Sequence, residues 1–153
     1  MNDAHFHLIV NHLPIIIPII GVILMISGFI FKAEILKRAG YLFFILAAIT
    51  AFFAMSSGEE AEEIVEELQG IEHRFIEAHE ENAETFATLL YILGGIALVG
   101  IWANLKNKSY SKFISFITIA FTFLVLFYAQ KTGTTGGEIR HSEIRTEASL
   151  ESK

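Results

Sequence analysis

Residues 13–31 read LPIIIPIIGVILMISGFIF, a run without one charged side chain. A helix rises about 1.5 Å per residue, so roughly 20 apolar residues cross the ~30 Å hydrocarbon core of a bilayer. This run has about that length, and so have Ala39–Gly58, Thr85–Leu105 and Phe113–Gln130. In lipid a backbone must satisfy its own amides and carbonyls, which a helix does within each span. The chain has 153 residues, 53% of them hydrophobic, and a mean hydropathy of +0.52. Its expected fold is all-α, an integral membrane four-helix antiparallel bundle with spans at about 13–31, 39–57, 85–105 and 113–130. One domain covers 1–145, and 146–153 is expected to be a disordered tail.

The first run is expected to remain as a span rather than be cleaved as a signal. Met1-Asn2-Asp3-Ala4 ahead of it carries no positive side chain, and the apolar stretch is too long for a signal core. Pro14 and Pro18 are expected in its first turns, where amides have no internal partner. Orientation follows from the short loops. Lys32, Lys37 and Arg38 lie between spans one and two, and Lys106, Lys108 and Lys112 between spans three and four. These six of the eleven basic residues place loops 32–38 and 106–112 in the cytoplasm. Both termini and the long segment 59–84 then lie outside.

The net charge of −6 is mainly local, because segment 59–84 carries eleven glutamates against Arg74 alone. An acidic outer segment excludes nucleic acid and an anionic lipid surface as partners. Cysteine is absent, which removes disulfides, thiolate metal sites, cysteine-held iron–sulfur clusters and covalent c-type haem. Any metal centre must use imidazole, carboxylate or carbonyl ligands.

The six histidines, His5, His7, His12, His73, His79 and His141, all fall outside the four apolar runs, in segments that share the external face. Imidazole is the commonest metal ligand, and helix bundles build cofactor sites from facing side chains. Segment Gly58–Asn82 reads as an external amphipathic helix between spans two and three. Its apolar stripe runs Ala61, Ile64, Val65, Leu68, Ile71, Phe75 and Ile76. A helix continuing through Gly70 sets His79 on this stripe, between Phe75 and Phe86, and points His73 away. The glycine-rich Lys131–Gly137 is expected to turn after span four and fold the tail back toward a ligand. Small residues are expected to pack the helices: Gly21, Ser27 and Gly28 in span one, Gly94, Gly95 and Gly100 in span three. The two halves share only hydrophobicity, so no internal repeat is expected.

A carboxylate two-metal site is the weaker chemistry. It wants Glu-x-x-His from two helices, and only Glu138-Ile139-Arg140-His141 has that spacing.

The opening His7-Leu8-Ile9-Val10-Asn11-His12-Leu13-Pro14 and the closing Gly136-Gly137-Glu138-Ile139-Arg140-His141 resemble a family of small four-span bacterial membrane domains of unknown function. Its members open with an H-P-L-L-V-H-F-P-like string and end with G-G-E-L-V-Y-x-H-G. The five-residue step between opening histidines is kept. Leu8 stands in place of the proline, Ser142 in place of the final glycine, and His141 comes sooner after Gly-Gly. The resemblance implies a bacterial inner-membrane protein, for which the outer side given by the loop charges is the periplasm, and membrane redox work, since some relatives are joined to Rieske-type domains. By position it carries over His7, His12 and His141, while His79 rests on the helical stripe.

The resulting expectation is a b-type cytochrome that binds one or two haems b at the external face and passes electrons between the quinone pool and an external partner. His12 with His79 is the first expected ligand pair and His7 with His141 the second, with Arg140 pairing a propionate. Two other readings stay open: a protein that binds or senses a transition metal such as zinc or copper, and a structural membrane subunit without a cofactor. Lipid, quinone, a redox protein and a second copy of the chain are the partners considered.

Overall fold

A computed structural model describes residues 3–66 and 72–145. Among these the chain is entirely helical: α1 (Asp3–Val10), α2 (Leu13–Ile30), α3 (Glu34–Glu66), α4 (His73–Leu105), α5 (Ser111–Arg140) and a 3₁₀ turn at Ser142–Ile144. Four of its helices are long and apolar enough to cross a membrane.

The external segment departs from expectation. No separate amphipathic helix forms among the described residues. The span-two helix instead runs on to Glu66 and the span-three helix already starts at His73. Continuing an existing helix adds one hydrogen bond per residue, whereas a new helix needs its own nucleus, so long helices absorb their flanks. Gly70 lies outside the described residues. Pro18 also sits deeper than expected, inside α2 and beyond its first turn. Its ring removes the amide that would bond the Pro14 carbonyl, and its burial among neighbouring helices offsets that loss. The glycine-rich stretch 131–137 forms no turn. It is the last part of α5, which ends at Arg140.

The helices pack in sequence, α2 on α3, α3 on α4 and α4 on α5, with α2 also touching α5 and α1 lying on α3. Glycine sets how closely they approach. A Cβ on Gly21 would stand 2.7 Å from the Phe44 ring, and one on Gly94 2.7 Å from the Ala48 Cβ. Gly28 faces Lys37 and Gly100 faces the Tyr41 ring with no room for a side chain. Gly95 has open space and takes no part. The core these contacts enclose holds Met25, Tyr41, Phe44, Leu90, Leu93 and Val125, all fully buried.

The inward face of α5 repeats Ser115, Thr118, Thr122, Val125, Ala129 and Thr132 at steps of three and four. Ser115, Thr118 and Thr122 donate to the carbonyls four residues back, at 3.0, 2.8 and 2.7 Å, so no hydroxyl is left bare in the interior. Outward lie Ile16, Ile23, Phe52, Leu98, Phe113 and Phe123, all exposed. At one end of the helices Glu34 pairs with Lys37 and accepts from Asn104, whose Oδ1 takes the Arg38 Nε at 2.7 Å. Tyr41 reaches Ser115 Oγ at 2.9 Å just inside that cluster. The histidines gather at the other end.

Candidate functional site

Of the six histidines, only His7 and His79 are half-buried; His5, His12, His73 and His141 are exposed. α1 lies along the C-terminal part of α3, which brings His7 Nδ1 to Ala54 O at 3.2 Å and Ser57 Oγ at 3.1 Å. His79 leaves the first turns of α4 toward α5, where its Nδ1 meets Thr132 O at 3.2 Å and Thr135 Oγ1 at 3.3 Å. The stripe that places it is packed as its spacing predicts: Phe75 and Phe86 are buried on either side. A carbonyl only accepts, so in the neutral ring this contact favours the tautomer with the proton on Nδ1 and the lone pair on Nε2. Neither Nε2 has a hydrogen-bond partner among the described residues. An imidazole whose Nδ1–H is anchored on a backbone carbonyl is held in the form that offers Nε2 to a metal.

The two rings stand within electrostatic range of each other, and His12 within range of His7. Asn11, one turn after His7, has a buried Oδ1 with no partner among the described residues. Such orphaned acceptors are rare and mark places where a bound group or water supplies the donor. Each ring also lies against a glycine. A Cβ on Gly58 would be 3.4 Å from His7 Cε1, and one on Gly136 2.9 Å from His79 Cε1.

Of the other expected residues, His12 starts α2 on the surface within that range of His7, and the rest are not brought to this point. His141 follows the end of α5 and pairs with Glu143 at 2.8 Å in solvent, and Arg140 is exposed. The Glu143 carboxyl is held below its usual range, first by its own backbone amide and then by His141. His73 points away, beside Glu77 at 3.4 Å. No group of three His, Asp or Glu side chains suited to a metal ion forms among the described residues.

One residue that the sequence reading passes over shapes the site from behind. Arg145 donates from Nε to Glu138 O at 2.9 Å and from Nη2 to Ile139 O at 3.3 Å, and lies 3.9 Å over the Phe75 ring. Its Nη1 reaches Glu72 at 3.4 Å. The guanidinium thus caps the carbonyls that α5 leaves open at its end and ties that end to the start of α4. Gly136, against which His79 rests, lies in the turn it fastens. A basic residue after a helix end is the only signal in the sequence, and it is a common one. No family model matches this chain, and no curated protein or solved structure is similar to it.

Proposed function

We propose that the chain is a four-span membrane b-type cytochrome, an antiparallel bundle in a bacterial inner membrane, with the His7 and His79 end on the periplasmic side. The observation that carries this reading is the pair of half-buried imidazoles, each anchored through Nδ1 and free at Nε2. The donor set fits haem b: two neutral imidazoles suit its iron, whereas a structural zinc site takes four ligands. His7 and His79 would hold that iron, in place of the pairs expected from sequence. When bound, the haem would supply one-electron chemistry. The chain's own part is to fix the ring tautomers, exclude water with Phe75 and Phe86, and offer the Asn11 acceptor beside His7. The loop charges and the resemblance of the two chain ends to the four-span bacterial family support the orientation and the redox setting. A quinone in the bilayer and an external redox protein are the partners this work requires.

An absorption spectrum of the purified protein tests the proposal. A Soret band with the sharp visible bands of a low-spin reduced b-type haem is expected, and His7→Ala or His79→Ala should abolish the low-spin form. A colourless protein that is fully loaded with zinc or copper overturns it.

A further inference from the structure

The two histidine seats share one plan. On α3 the His7 ring meets the carbonyl of Ala54, the hydroxyl three residues on, Ser57, and the glycine four residues on, Gly58. On α5 the His79 ring meets the carbonyl of Thr132, the hydroxyl three on, Thr135, and the glycine four on, Gly136. In both, the hydroxyl also donates to that same carbonyl, at 3.1 Å from Ser57 and 3.2 Å from Thr135. One helical turn therefore forms a seat with three sides. A carbonyl fixes the tautomer, a hydroxyl flanks the nitrogen, and a missing side chain lets the ring lie on the backbone.

The turns that lead to these seats match as well. Among the described residues, Lys32 (φ 52°) and Asn107 (φ 49°) are the non-glycine residues with positive φ. Each closes a helix through the same pair of bonds. The amide after the left-handed residue reaches back five positions, Ala33 to Gly28 O at 3.0 Å and Lys108 to Ala103 O at 2.9 Å. The left-handed residue's own amide bonds the carbonyl three back, Lys32 to Phe29 and Asn107 to Asn104. From histidine to left-handed residue the chain runs 25 residues in the first half and 28 in the second; from there to the seat glycine it runs 26 and 29. The second half is longer by three residues, nearly one turn, in each leg.

We infer that the protein is an internal duplication, two equivalent helical hairpins over 7–58 and 79–136, each of which holds one imidazole by Nδ1 and presents its Nε2, the pair that would hold the centre of the proposed function. Ser57 and Thr135 are the positioning residues of the two seats. The identity of the centre rests on the haem reading; the duplication and the seats do not. Under this inference the expectation of no internal repeat gives way. A span that faces lipid and packs on one neighbour accepts almost any apolar side chain, so only the constrained positions keep the pattern: histidine, left-handed turn, hydroxyl and glycine.

Exchange of the seat hydroxyls tests this on the full-length protein in lipid nanodiscs. With ¹⁵N-labelled histidine and no haem added, both His7 and His79 should be protonated at Nδ1. The double variant Ser57→Thr, Thr135→Ser should keep both, because equivalent seats take either hydroxyl. Gly58→Val and Gly136→Val should each displace only their own ring. With haem added, Ser57→Ala and Thr135→Ala should weaken uptake by similar factors, each about three- to tenfold. Protonation of either ring at Nε2, loss of Nδ1–H in the exchanged variant, or a full low-spin spectrum after removal of one seat overturns the inference. A protein that takes up no haem yet keeps both rings on Nδ1 ends the haem reading and supports the duplicated seats.

Discussion

At the scale of single residues, the seats differ in how much room they leave, and this difference predicts unequal sensitivity. A methyl group at Gly136 would press into the His79 ring at 2.9 Å, with the ring held to the same helical turn by the Thr132 carbonyl. At Gly58 the same group would sit 3.4 Å from His7, close to ordinary contact. Gly136→Ala should therefore cost about 1–3 kcal/mol, in the range of overpacked cores, and Gly58→Ala less than about 1 kcal/mol. Thermal unfolding of the two variants in the same detergent checks this; equal losses would mean that the rings are not held where described. His79 was legible from its place on an apolar stripe, because periodicity reports which face is buried. His7 was legible only through the resemblance of its neighbourhood to a family. Asn11 and Arg145 were not legible at all. Their roles depend on which atoms lack or find partners after folding, and the sequence holds no periodicity that says so.

At the scale of elements, the absence of charge alone pointed to four long apolar helices, since a span tolerates none, but it marked their apolar middles and not their ends. The flanks were misread for an opposite reason. Glutamates and glycines outside the apolar runs carry no penalty in water, so composition does not reveal whether a helix stops. Gly133, Gly136 and Gly137 look like a turn in the sequence, yet α5 holds them as helix because Gly136 admits the His79 ring and Gly137 admits Ile144. The two left-handed turns make a contrasting pair. Asparagine tolerates that conformation through its short side chain, while a lysine there costs roughly 1 kcal/mol against glycine. Lys32→Gly should raise stability by up to about 1 kcal/mol and Asn107→Gly should change it by only a few tenths of that. Denaturant or thermal midpoints measure the difference, and a destabilised Lys32→Gly would show that the side chain of Lys32 holds the turn by other contacts.

At the scale of the whole molecule, charge asymmetry is the main orienting signal, with Lys32, Lys37, Arg38, Lys106, Lys108 and Lys112 on one face of the helices and both histidine seats on the other. Single cysteines are easily introduced into a chain that has none. One at Ser109 should be protected from an impermeant thiol reagent in intact cells, and one at Glu80 should be labelled. The reverse pattern would invert the proposed orientation and move the imidazoles to the inner face. The packing order of the helices was not legible, because any apolar face suits any other and the choice is made by where a glycine meets a ring, as Gly100 meets Tyr41 and Gly21 meets Phe44.

The fastening of α5 by Arg145 has a consequence for the making of the protein. A ribosome delivers His7 first and the turn that seats it some fifty residues later, so the first imidazole finds its place while the second half is still unsynthesised. His79 waits for Thr132, Thr135 and Gly136, and that last turn is tied to α4 only when Arg145 has followed it out of the exit tunnel. A nascent chain arrested anywhere short of this point carries one finished seat and one loose ring. Seating of the second imidazole is thereby the later of the two events, and Arg145 is the last residue it waits for.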